Sequence, residues 1–373
     1  MQSNTSTIEK RVVFIDLLRA YAILMMVQGH FIEVTLASQY QSTANFIYLV
    51  WATLRGMTAP LFFFASGTIF TYLLFKFEKN NEPNPRIKKG LKRFLMLVGL
   101  GYLLRLQPTV FYDFFDLKSP EIMPFWAIDT LHCIGFGLFF IIILYQLSKI
   151  TKINSGILFA LFAFLIFIIS PIVENSNAIM NLPIPIANFF TYKYGSNFPI
   201  IPWNGFVLWG ALLGFLLNKK HISPKSYLFI FSLSFIGLFL IFFSGDYLAF
   251  LYKLTGIEVF RDLFMKNILF LHLGNVLFAS GIFAFFASYF KIPKLLTKVG
   301  NHTLMIYIVH IFIIYGTAFT PGIQTWFSKS LNPYQSITYA IILIAFFLLI
   351  VKYYENIADT LKFFKNSGNK IIN

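Results

Sequence analysis

Apolar residues in this chain come in runs of about 18–22, the length a helix needs to cross ~30 Å of hydrocarbon. Ten such runs are legible, at roughly 12–34, 45–75, 91–108, 125–147, 154–173, 201–218, 225–244, 268–290, 299–320 and 335–354. They predict an all-α polytopic membrane protein, a bundle of about ten transmembrane helices. The second run is long enough to bend, and Pro60 is the expected place. If the N-terminus is cytoplasmic, the inner breaks hold 21 Lys and Arg residues and the outer breaks 6, a bias repeated loop by loop. By the positive-inside rule this predicts both termini in the cytoplasm. Acids gather on the other side: Asp113, Asp116, Glu121, Glu174, Asp246, Glu258 and Asp262. The outer stretches 109–124, 174–200 and 245–267 are long and rich in Pro and aromatics, and predict a partly ordered cap. No internal repeat or linker divides the chain, so 1–373 reads as a single membrane-embedded domain.

Lys10, Arg11 and the Leu36-Ala37-Ser38 stretch imitate a signal peptide, but Asp16 and Arg19 interrupt the apolar region and the run is too long, so it reads as a retained first span. Composition sharpens the class: of 373 residues, 57% are hydrophobic and 12% charged, about half the charge of a soluble domain. A net charge of +15 invites a nucleic-acid reading, which the placement of the cations at span ends excludes. Cys133, the one cysteine, rules out an intrachain disulfide and a cysteine-based metal cluster, and is expected as a small buried residue. Gly210 and Gly214 form a small-xxx-small pair, expected to let two helices approach.

The first run carries Asp16, Arg19, Gln28, His30 and Glu33. Each ionisable group in hydrocarbon costs ~2.5–3.5 kcal/mol on insertion scales, so these must face protein or trapped water. At 100° per residue Asp16 and Arg19 lie one turn apart, His30 lies three turns on along nearly the same line, and Glu33 extends it. Such a helix belongs inside a bundle. The predicted topology places His30, His132, His272 and His310 in the extracytoplasmic half with Arg55 and Arg105; Asp129 lies one turn above His132 and Asn275 one turn below His272. Their shared depth predicts that His30, Arg55, His132, His272 and His310 line one cavity open to the outside. The structural alternative for each is a hydrogen bond stitching two helices. Asp16 and Arg19 can neutralise each other, and Glu33 can be solvated by headgroups. His221 and His302 fall at the inner boundary, where a solvated role is expected.

Several of these residues stand in recognisable order. The first span reads Arg11…Asp16-Leu-Leu-Arg19-Ala20-Tyr-Ala22…His30, with ten residues between Arg19 and His30. The second reads Leu54-Arg55-Gly56-Met57-Thr58-Ala59-Pro60-Leu61…Ser66-Gly67, the fourth begins Asp129-Thr130-Leu131-His132-Cys-Ile134-Gly135, and the ninth reads Val299-Gly300-Asn301-His302-Thr303-Leu304…Ile306-Tyr307…His310. In these segments the chain resembles the transmembrane acyltransferase superfamily, the acyltransferase-3 family and the heparan-α-glucosaminide N-acetyltransferase-like proteins. It departs at Ala20, where Gly is usual, and at Arg55, where the N-acetyltransferase-like segment has Asn. Near Trp51, where the lysosomal-type enzymes carry a histidine, it has none, so His30 must carry the chemistry, as in acyltransferase-3 proteins.

The resemblance implies an integral membrane acyltransferase, for groups other than aminoacyl, of a cell envelope, bacterial and at the inner (plasma) membrane. The donor would be a cytoplasmic acyl-CoA, commonly acetyl-CoA, with no metal, and the acceptor a hydroxyl or amine of an extracytoplasmic glycan or similar molecule. Arg86, Lys88, Lys89, Lys92 and Arg93 offer phosphate partners for CoA, with Arg capable of bidentate contact; topogenic charge is the alternative. Asp16, Arg19, Glu33, Arg55, Arg105, Asp129, His132 and His272 are expected to bind substrate. His30 takes the acceptor's proton as general base, or first forms an acyl-imidazole; Tyr307 or His310 polarises the thioester carbonyl. The rival readings are a proton-coupled secondary transporter, which also uses buried His, Asp and Arg, and a non-catalytic membrane sensor or assembly protein. Visible duplication would favour the transporter, and none is seen.

Overall fold

The structure, a computed structural model, describes residues 12–79, 82–106, 122–219, 222–317 and 319–368, with side chains as far as Tyr354. Lys10, Arg11, Asp113, Asp116, Lys118, Glu121, Lys220 and His221 lie outside the described residues. In chain order the helices are α1 (Val13–Thr35), α2 (Phe46–Gly56), α3 (Thr58–Lys76), α4 (Pro85–Leu104), α5 (Met123–Trp126), α6 (Thr130–Thr151), α7 (Ser155–Glu174), α8 (Asn177–Met180) and α9 (Ile184–Ala187). They continue as α10 (Ile200–Lys219), α11 (Tyr227–Thr255), α12 (Glu258–Met265), α13 (Ile268–Tyr289), α14 (Lys294–Asn301), α15 (Thr303–Tyr315), α16 (Ile323–Phe327) and α17 (Pro333–Gly368). Among the described residues eight helices are long and apolar enough to cross a membrane, and nine spans result if the bent pair α14–α15 counts as one. The remaining expected span, 91–108, is the helix α4, which begins earlier, at Pro85; its first turns hold Arg86, Lys88, Lys89, Lys92 and Arg93 and dilute its apolar character.

Local chemistry sets most of the boundaries. Asn45, Asn84 and Asn154 cap α2, α4 and α7 by accepting backbone N–H groups, and Pro85 occupies the first position of α4, where its missing donor costs nothing. Gly256, at φ +67°, ends α11 in the left-handed conformation. α11 runs eleven residues past the expected end at 244, so the outer stretch expected over 245–267 begins as helix and continues as α12. The second span is interrupted at Met57, between α2 and α3, three residues before Pro60. A proline ring clashes with the carbonyl four residues earlier, here Gly56, so the helix opens one turn before the proline.

α1 is the axis of the bundle, packed by α3, α13, α14, α15 and α17, with Asp16 buried and not turned to lipid. A strap from the α16–α17 connection clips its outer end: Lys329 and Leu331 donate backbone N–H groups to Val34 and Thr35, and Ala37 donates back to Leu331. α3 and α10 run in backbone contact because Gly67, Gly210 and Gly214 face the carbonyls of Val207, Phe64 and Thr68 with no room for a Cβ. The small-residue pair is therefore packing. Gly210→Leu is expected to force these helices apart and cost about 1–3 kcal/mol, read as a lower melting temperature of the purified protein in detergent; an unchanged melting temperature would mean the two helices part freely.

Candidate active site

Two helices carry the groups at the centre. Gly300, pressed on the Asp16 carbonyl with no space for a side chain, seats α14 against α1. The chain then turns by 73° at His302 into α15. That turn aims Thr303, Tyr307 and His310, one turn apart along α15, toward the interior. Two rungs join α15 to α1. At the lower one Arg19 donates to Thr303 Oγ1 at 2.8 Å. At the upper one His310 Nε2 lies 3.2 Å from His30 Nδ1, with the rings stacked at 5.3 Å and 28°.

The hydrogen bonds order the tautomers. His310 is fully buried and its Nδ1 lies 3.0 Å from the Ile306 carbonyl, which can only accept, so Nδ1 carries a proton. The lone pair of neutral His310 is then on Nε2 and accepts from His30 Nδ1–H. His30 in turn keeps its lone pair on Nε2, the nitrogen turned away from His310. A base oriented by a second group through its other nitrogen is the arrangement nucleophilic and general-base sites use. Tyr315 meets the His30 ring edge-on at 5.8 Å.

Around this pair stand two polar clusters. Arg55 lies across Gly29, where a Cβ would meet its Cγ at 3.0 Å, and its guanidinium pairs with Glu33 and covers the Trp51 ring at 5.7 Å. Trp51 donates to Gln28 at 2.9 Å, and Lys329 to Gln41 at 2.9 Å. Lys329 also donates to the Glu33 carbonyl at 2.5 Å. The second cluster is the start of α6. Asp129 accepts from Thr130 N–H at 2.7 Å and receives Arg105 at 3.3 Å, while Arg105 also donates to the Pro124 carbonyl at 2.8 Å. Asp129 is within electrostatic range of His30, Tyr307 and His310, and Thr130 lies near the Tyr307 hydroxyl.

The expected five-residue lining comes together only in part. His30, His310 and Arg55 converge. His132 instead turns its ring toward α4, where Gly101 makes room and Tyr102 packs edge-on at 4.3 Å, and its Nδ1 accepts the Asp129 N–H at 3.2 Å. It closes the cap of α6, which is why a histidine is held there. His272, on α13, shares no hydrogen bond or ring contact with the pair among the described residues. His302 is half-buried, its Nδ1 against the Lys298 carbonyl and its ring edge-on to Tyr354 at 4.7 Å.

Below the lower rung lies a cavity of about 620 Å³, lined by Asp16 and Arg19 of α1, Arg86, Lys89, Lys92 and Arg93 of α4, Ile134 and Leu138 of α6, and Asn301. Of these, Arg86, Lys89 and Arg93, at i, i+3 and i+7, share one helix face. Lys88 lines a separate cavity with Lys79, Tyr145 and Lys149. Sequence reading missed Thr303, Thr130 and Tyr315, neutral residues whose importance comes from what they touch; the position of Thr303 within the ninth-span motif was the available signal.

The model of the family described as "Heparan-alpha-glucosaminide N-acetyltransferase, catalytic" matches residues 11–249. That segment holds His30, Arg55, Asp129 and the α4 cations, while Tyr307 and His310 lie beyond it. No curated protein and no solved structure gives a significant match. With well over half of its length matched by this one family, the chain belongs to the heparan-alpha-glucosaminide N-acetyltransferase catalytic family of membrane acetyltransferases.

Proposed function

We propose that this protein moves an acetyl group from cytoplasmic acetyl-CoA to a hydroxyl or amine of an extracytoplasmic glycan, with His30 as general base. Both termini lie in the cytoplasm and the protein spans the plasma membrane in this reading, which rests on the distribution of Lys and Arg. The observation that carries it is the His30–His310 hydrogen bond, whose order leaves a lone pair on His30 Nε2. The cavity supplies the donor's half. CoA carries a diphosphate and a 3′-phosphate, and Arg19, Arg86, Lys89, Lys92 and Arg93 line that space, with Asp16 the one acid among the described lining residues. The donor set fits: charge-assisted bonds from guanidinium and ammonium groups are the usual phosphate partners.

The steps balance with the groups present. The acceptor's oxygen or nitrogen attacks the thioester carbonyl carbon while its proton passes to His30 Nε2. His30 becomes an imidazolium whose Nδ1–H stays bonded to His310, with Asp129 in electrostatic range of the charge. The tetrahedral carbon re-forms its carbonyl, the C–S bond breaks, and the leaving CoA thiolate takes the proton back from the His30 imidazolium, which returns His30 to the neutral base. Arg55 and Glu33, at the outer side of His30, are the groups an entering acceptor meets first.

The test uses purified protein in proteoliposomes, with labelled acetyl-CoA supplied on the side of the basic breaks and glycan on the other. Label is expected in the glycan as an acetyl ester or amide. Protein that binds CoA yet labels no glycan, amine or hydroxyl would overturn the assignment.

A further inference from the structure

A second cavity, of about 830 Å³, stands beside α4 and takes no part in the acyl-transfer reading. Two packed helices wall it, α4 with Lys88 and Leu91 and α6 with Tyr145, Gln146 and Lys149. Its charges are partly paired. Lys79 holds Glu82 at 3.0 Å, and Lys149 holds Glu78, whose carboxylate also accepts from the Tyr145 hydroxyl at 2.9 Å. Lys88 has no ion pair among the described residues. Three ammonium groups against the two carboxylates leave one positive charge over, and Lys88 carries it. An apolar track leads from this pocket deeper into the bilayer. Leu95 lies one turn beyond Leu91 on α4 and Ile143 about one turn before Gln146 on α6, and they are 66% and 43% exposed. Between the two helices Phe94 and Phe139 stack at 4.8 Å.

We propose that this cavity binds an anionic glycerophospholipid from the leaflet that meets the basic breaks. Its phosphodiester sits at Lys88, and its acyl chains lie along Leu91, Leu95 and Ile143. Basic pockets between spanning helices take such headgroups. A phosphodiester carries one negative charge, which matches the charge left over, and an ammonium group is a strong donor to it. Gln146, exposed at the mouth, offers both a donor and an acceptor to headgroup hydroxyls. The apolar track is what selects a lipid over a soluble phosphate, because only a ligand with tails covers it. The site is separate from the cavity assigned to CoA and does not depend on acyl transfer being the activity.

The experiment measures binding to the purified full chain in detergent by native mass spectrometry, with phosphatidylglycerol, phosphatidylcholine and glycerol 1-phosphate as probes. Phosphatidylglycerol is expected to bind roughly tenfold or more tightly than either of the others, which lack the net charge or the tails. Lys88→Glu should weaken phosphatidylglycerol by roughly tenfold or more, and Lys88→Gln, which serves if the Glu protein does not fold, by about fivefold. Lys294→Glu makes the same reversal at the exposed start of α14 and should leave the lipid affinity near the wild-type value. Equal binding of phosphatidylcholine or of glycerol 1-phosphate overturns the site. So do equal losses from Lys88→Glu and Lys294→Glu, which would mean that the lipid answers to total charge. Displacement of phosphatidylglycerol by CoA would give the cavity to the donor and overturn it as well.

Discussion

His30→Ala is expected to fold, to bind CoA as the wild type does, and to lose acyl transfer by roughly 10²–10⁴-fold, the usual contribution of a positioned general base. The argument is the tautomer chain: Ile306 carbonyl, His310 Nδ1–H, His310 Nε2, His30 Nδ1–H, and a free lone pair at His30 Nε2. A histidine that merely stitched α1 to α15 would behave differently. Its removal would leave His310 Nε2 unsatisfied, cost ~1–3 kcal/mol of stability, and lower activity only in proportion to folded protein. The measurement is therefore acetyl transfer per folded molecule, with CoA binding as control. Wild-type turnover in His30→Ala would take His30 out of the mechanism.

The second large effect is on the donor side. Replacing Arg86 and Arg93 by Glu should raise the Kd for CoA by about 10²-fold or more, because two charge-assisted phosphate contacts, each worth ~1.5–3 kcal/mol, are lost and replaced by repulsion. Both residues line the 620 Å³ cavity. Lys88→Glu makes the same kind of charge change on the same helix but in the other cavity, and should leave CoA affinity near the wild-type value. Equal losses from both proteins would mean that the cations of α4 act through the membrane potential or topology rather than as ligands. Titration calorimetry at two salt concentrations separates the cases, since long-range effects of exposed charge are screened by salt and direct contacts less so.

Much of the architecture was legible because hydrocarbon is an unforgiving solvent. A run of twenty apolar residues has no other low-energy state in a bilayer than a helix, so the runs at 12–34, 154–173 and 268–290 match α1, α7 and α13 within a few residues. The polar row on α1 was legible for the same reason, charge being costly in lipid. Where prediction slipped, a competing local rule won. Pro60 opened the helix one turn upstream of itself, and basic residues that read as a cytoplasmic break became the first turns of α4.

The sequence by itself determined the class of molecule, the number of apolar runs, and that Asp16, Arg19 and His30 share a face that must be hidden. Only the tertiary structure decided which polar residues meet. Depth is a one-dimensional coordinate, and residues at one depth can lie on opposite sides of a bundle. His132 and His310 were equivalent by depth, yet one caps α6 beneath Gly101 and the other holds His30. The cations of α4 were equivalent by sequence, yet Lys88 lines a different cavity from Arg86, Lys89, Lys92 and Arg93. What separates them is the rotation of each helix about its axis and the 73° turn before α15. Both are set by small residues such as Gly300 and Gly101, whose importance lies in the neighbour they admit.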